Sequence, residues 1–224
     1  MKRVLPFLFS AILVCAAASQ ISFGGRASQP SILNAGAGYL AMPAVQKELG
    51  LSATVSKKIQ DKITSSTRAM MGSMQPTQSS KDPKERGVAI QKQVASMQKV
   101  QAECVAMLTP TQKARLKQIT LQQMGPQAMY NPEVKKELGL NESQTKKIGQ
   151  IMQASFQQMF GSPGVKPGER PSREDAIKRM QEFAKKQEAS RVKTNAETMK
   201  VLSPTQRSKW KAMQGKPFKI DMFG

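Results

Sequence analysis

Two Ser-x-x-Lys pairs, Ser143 to Lys146 and Ser208 to Lys211, are the nearest this chain comes to a nucleophile beside a base. The chemistry would be acyl transfer, with the lysine amine taking the hydroxyl proton as the oxygen attacks. That step needs a dry pocket to bring the amine into range, and in a chain rich in both residues chance accounts for the spacing. No Gly-x-Ser-x-Gly, no glycine-rich phosphate loop closed by Lys and no Cys-x-x-Cys occurs. The complete lack of histidine removes the commonest metal ligand and the commonest general base together. The sequence therefore reads as a binding protein, with no catalytic residue, metal or cofactor expected.

The residues equipped for binding are the cations and the methionines. Thirty-five Lys and Arg against 15 Asp and Glu give a net charge of +20 on 224 residues. Such a field draws anionic partners: acidic proteins, phospholipid head groups, polyanions. Nucleic acid ranks low among these, because aromatics make up only 5% and are not interleaved with the basic residues. Fifteen methionines supply unbranched, polarizable side chains that repack cheaply against many shapes.

The start of the chain reads as an export signal over residues 1–18. Lys2 and Arg3 precede an apolar run from Val4 to about Ala18, and Ala16-Ala17-Ala18 offers a small-x-small cleavage site. No later stretch is apolar enough to span a membrane. Lipid anchoring through Cys15 is disfavoured, since Val14 is not the small residue such a site wants. The expected location is the periplasm, and cleavage leaves Cys104 as the one cysteine, read as a small core residue.

Four short boxes carry the clearest local chemistry. In Leu108-Thr-Pro-Thr-Gln112, Thr109 can cap a helix start, Pro110 suits the first helical position, and Gln112 can reach back to the cap's own N–H. Ser203, Pro204 and Gln206 repeat the pattern, and Asn141 with Gln144 gives a third version. Leu51-Ser-Ala-Thr-Val55 keeps the cap Ser52 but has Val55 where Gln would close the box. The usual hydrophobic staple is missing from all four, so each leading Leu must pack on a neighbouring helix.

These boxes sit inside a larger repetition. Pro43-Ala-Val-Gln-Lys-Glu-Leu-Gly-Leu51 returns as Pro132-Glu-Val-Lys-Lys-Glu-Leu-Gly-Leu140, and the late box returns 94 residues on. The spacing predicts an all-α chain made of two tandem helical repeats, 42–126 and 127–214. A flexible lead over 19–41 precedes them, and a loosely held tail over 215–224 follows. In the first repeat helices are expected over 44–49, 53–71, 84–108 and 110–124, with a break at 75–83. The second should copy them over 126–138, 142–160, 173–202 and 204–214, with a break at 161–171. Apolar spacings of three and four (Ile90, Val94, Met97, Cys104, Leu108) predict thin stripes on the long helices, suited to a layer one or two helices thick. Trp210 falls at the place of Leu116 and is expected to anchor the core.

With two boxes per half, one early and one late, and a long helix before the second, the sequence resembles the Spy/CpxP family of periplasmic stress proteins, the LTxxQ motif family. The resemblance implies a thin helical protein forming a curved cradle, here from a single chain acting as a pseudo-dimer. It implies an ATP-independent chaperone for unfolded or partly folded envelope proteins, or a regulator that binds one partner such as a sensor kinase. The zinc-linked branch of that family is not matched, for want of histidine. Candidate client contacts are Met70, Met71, Met74, Met159 and Phe160 at the helix tips, whose alternative role is packing between hairpin helices. The basic candidates are Lys113, Arg115, Lys117, Arg207, Lys209 and Lys211, whose alternative role is a solvated face.

Overall fold

The computed structural model describes residues 31–79, 82–160 and 173–220. All regular structure among them is helical, so the fold is all-α. In chain order these are α1 (Ile32–Gly36), a 3₁₀ turn (Ala37–Ala41), α2 (Pro43–Glu48), α3 (Ala53–Ser79), α4 (Pro83–Ala106) and α5 (Pro110–Met124). A second 3₁₀ segment (Gly125–Tyr130) leads to α6 (Pro132–Leu138), α7 (Glu142–Phe160), α8 (Arg173–Val201) and α9 (Pro204–Gln214). The export signal and the break at 161–171 lie outside the described residues.

Four expectations need correction. Residues 31–41, assigned to a flexible lead, are helical and fix Ile32, Ala37 and Leu40 at 2% exposure or less. Ser31 caps this short helix by accepting from Asn34 N, and Gln46 Nε2 donates to Leu40 O at 2.7 Å. The break at 75–83 begins too early, because α3 continues through Pro76 to Ser79. A proline inside a helix deletes one hydrogen bond and crowds the carbonyl four residues back, and that carbonyl belongs to Gly72. The helix expected over 126–138 is split at Asn131, whose side chain accepts from Glu133 N and starts α6 with Pro132 at its first position. The tail is not loose over its described part: Phe218 and Ile220 pack on the core of the first unit.

The chain divides into two compact units. Among the described residues, the first comprises those up to Thr120 together with 217–220, and the second comprises Leu121–Lys216. The boundary thus falls inside α5 rather than at 126. In the first unit Leu40, Val45, Leu49, Ile59, Cys104, Leu108, Leu116 and Ile119 share one core. Gly36 lies so close to α5 that a Cβ there would stand 2.0 Å from Thr120 Oγ1. That hydroxyl is itself held by Leu116 O at 2.8 Å.

The second unit buries Leu121, Met129, Val134, Leu138, Ile148, Leu202 and Trp210. Several of these stand 89 residues from a buried residue of the first unit: Ile32 and Leu121, Leu40 and Met129, Val45 and Val134, Ile59 and Ile148. Late in each half the step is 94, pairing Leu108 with Leu202 and Leu116 with Trp210. Gly50 and Gly139 both take positive φ, 59° and 65°, where each short helix turns back toward the next box.

Among the described residues one buried polar side chain is left over: Thr198, fully buried at the position of Cys104, has no partner there for its hydroxyl. One turn away, Thr194 donates to Ser155 Oγ, which also pairs with Ser190 at 2.7 Å, so the α7–α8 seam is lined with hydroxyls. An orphaned buried hydroxyl costs about 1–3 kcal/mol. Thr198→Val keeps the shape and should raise unfolding stability by about 1 kcal/mol, read as a higher urea midpoint at unchanged slope. A lower midpoint would mean the hydroxyl has a partner after all.

Candidate binding surface

The box residues come together at the base of each helical hairpin, where α3 and α4, and α7 and α8, begin and end. Ser52 Oγ accepts from Val55 N at 3.3 Å. Thr109 Oγ1 accepts from Gln112 N while Gln112 Oε1 accepts from Thr109 N. Asn141 with Gln144, and Ser203 with Gln206, close the same reciprocal box. Of the four leading leucines, Leu108 and Leu202 are buried, Leu51 packs on the first core and Leu140 is half-buried.

Each glutamine also does something a local cap does not require. Gln112 Nε2 donates to Leu49 O at 3.1 Å, and Gln206 Nε2 donates to Gly139 O at 3.1 Å, tying the late box to the end of the short helix that precedes the early one. In the second unit the two box amides pair with each other. Gln144 Nε2 donates to Gln206 Oε1 at 2.7 Å, and Gln206 Nε2 returns a bond to Gln144 Oε1 at 3.2 Å. Gln144 Nε2 further reaches Val201 O at the end of α8. Val55 stands in the place of Gln144 in the first unit and packs on the core instead.

The basic candidates divide by role. Arg115 is only partly exposed and holds Glu48 Oε1 through Nε at 2.9 Å and Nη2 at 2.7 Å, with Nη1 on Gln118. Arg207 turns back to donate to Leu202 O at 2.8 Å and Met199 O at 3.2 Å, a cation on the open carbonyls of a helix end. Both guanidinium groups thus brace the base. Lys209 and Lys211 are exposed, and Lys113 and Lys117 are half-buried. No acidic residue occurs in α5 or α9, so these lysines keep a positive face.

The apolar candidates lie elsewhere, on the hairpins away from the base. Met71 is 61% exposed on α3, and Met70 is half-buried beside it. Met74, Met159 and Phe160 fall in α3 and α7, but their side chains lie outside the described residues. Sequence reasoning missed four exposed apolar side chains: Val88 and Ile90 on α4, Phe156 on α7 and Val192 on α8. Ile90, the first residue of the thin apolar stripe expected on α4, is 52% exposed. Helical spacing shows that a face is apolar and not that anything covers it.

Among the described residues of the hairpins, burial is confined to their bases. Among the described residues, none between 60 and 103 and none between 149 and 193 is buried. Each hairpin therefore extends from its core as a two-helix arm whose described apolar residues are half-buried or exposed. In the first arm Lys84, Glu85 and Lys92 flank Val88 and Ala89 on one side of α4. At its root Lys62 hydrogen-bonds Glu103, which draws the Glu103 carboxyl below its usual range and raises the Lys62 amine. In the second arm Arg191 holds Glu188 in the same way. Burial pushes the Cys104 thiol up and leaves it the small core residue the sequence suggested.

No group of three His, Cys, Asp or Glu able to hold a metal occurs among the described residues. Nor is any described helix long and apolar enough to cross a membrane. A family model described as a domain of unknown function (DUF4890) matches residues 124–210, less than half of the chain. Its match takes in both boxes of the second unit and the α7–α8 hairpin between them. No curated protein and no solved structure matches the chain.

Proposed function

We propose that this chain is an exported, ATP-independent holding protein of the periplasm that binds unfolded or partly folded envelope proteins on its two arms, built as a duplicated helical module. The observation that carries this reading is the placement of Met71, Val88, Ile90, Phe156 and Val192, all more than half exposed, on arms with no buried residue among those described. Isolated exposed apolar residues are ordinary, but five on two hairpins set among lysines form a forgiving surface. Long-range attraction by the cations brings a client in, and weak apolar contacts let it move while bound. The likeness of the paired boxes to the Spy/CpxP pattern and the recurrence of buried positions support the same reading. Arg115 and Arg207 drop out of the contact set, since their guanidinium groups are committed to the base, and the arms take their place.

The test is light scattering from an unrelated protein denatured with and without the mature chain, at low and high salt. Suppression is expected at modest molar excess, and Val88→Glu combined with Ile90→Glu should weaken it severalfold while leaving helicity intact. High salt should slow capture by screening the cations without abolishing it. No suppression in either buffer rejects the proposal. Silence in this assay together with tight one-to-one capture of a single envelope receptor would instead favour a dedicated regulator.

A further inference from the structure

We propose that Met71 is a modification site, a surface sulfide that a hydroperoxide converts to the sulfoxide, and that this oxidation releases clients from the first arm. The second clause rests on the holding reading above; the first does not.

Among methionines whose side chains are described, Met71 alone is exposed, at 61%, whereas Met129 in the second core is 1% exposed. The other soft nucleophile, Cys104, is 1% exposed and its thiol is pushed up by burial, so it offers an oxidant little thiolate. Chemistry with two-electron oxidants therefore concentrates on the arm. In the step itself a sulfur lone pair attacks the terminal oxygen of the peroxide. The O–O bond breaks, an S–O bond forms, and the displaced oxyanion takes the proton from the transferred oxygen, leaving as water when the oxidant is hydrogen peroxide and as an alcohol when it is an alkyl hydroperoxide. The sulfide loses two electrons and the peroxide gains them.

The product differs from the reactant where the arm is most sensitive. A flexible apolar side chain becomes polar, chiral and a strong acceptor. Among the described large apolar side chains of either arm Met71 is the most exposed, and no described neighbour along α3 beyond residue 60 is buried to compensate. Sulfoxide reductases reverse the change, so it can act as a switch rather than as damage.

The experiment treats the full mature chain with hydrogen peroxide and maps one-oxygen mass gains by peptide over time. Oxidation at Met71 should run about tenfold or more ahead of Met129, which must wait for the core to open. In parallel, scattering suppression is measured before and after peroxide for the wild type and for Met71→Leu, which stays apolar and cannot be oxidised. Peroxide should cut suppression by the wild type severalfold and leave the Leu variant close to its untreated level. Equal oxidation rates at Met71 and Met129 overturn the site. Equal loss in the wild type and in Met71→Leu, or no loss in either, overturns the switch. If the untreated chain suppresses nothing, the holding reading and the switch fall together, while the mass map still decides the site.

Discussion

Replacing Trp210 by Ala should cost the second unit about 3–5 kcal/mol, a large share of what holds a small domain together. Trp210 is 3% exposed and is the only buried residue of α9. The rest of that helix is held by polar contacts at its ends, where Ser203, Gln206 and Arg207 engage backbone groups and Gln122 Nε2 donates to Gln214 O. Removing the indole leaves α9 without a buried side chain and opens a cavity against α6, whose Val134 and Leu138 are buried. The loss should appear in urea titrations followed by far-ultraviolet circular dichroism, since Trp210 is the one tryptophan and its removal silences the usual fluorescence. Trp210→Leu copies the residue that fills this place in the first unit and should recover more than half of the loss. A cost below about 1 kcal/mol for the Ala variant would mean that α9 is anchored by the polar contacts at its ends.

That anchor was legible in the sequence because a repeat lets one half annotate the other: Leu116 reads as core, so its counterpart does too. The capping residues were legible because a cap is local, three residues and one turn of backbone. What the boxes do beyond capping was not, since Gln206 meets Gly139 and Gln144 across more than sixty residues of chain. Residues 31–41 looked like a lead because Gly36, Gly38 and several alanines dilute the apolar signal. Yet Gly36 serves close packing there, with Thr120 against its bare Cα, and the equivalent of Ile32 is Leu121. The 89-residue spacing of buried positions therefore begins about ten residues before the readable motif, and the boundary between units lies within α5. The basic face was read from charge alone, which cannot distinguish a lysine in water from an arginine spent on a helix end. Apolar spacing on the long helices marked thin stripes, and it could not show that Val88, Ile90 and Val192 on them stay more than half exposed.

The reciprocal amide pair predicts an asymmetry between the halves that composition would not suggest. Gln206→Ala should destabilise by about 2 kcal/mol, because it strips bonds from Ser203 N, Gly139 O and the Gln144 amide together. Gln112→Ala in the first unit loses bonds only to Thr109 N and Leu49 O among its described partners and should cost about 1 kcal/mol. The decisive measurement is the cycle of Gln144→Ala, Gln206→Ala and the double variant, followed by urea unfolding. Two amides that each complete the other should give a coupling of about 1 kcal/mol, so that the second substitution costs less than the first. Additive losses would mean that each glutamine merely caps its own helix, and the two boxes of the second unit would then be independent features. Coupling would instead make the pair a single lock that fixes where α7 and α9 start relative to the end of α8. In the first unit Val55 has exchanged that lock for apolar packing, so the two arms stand on bases of different chemistry.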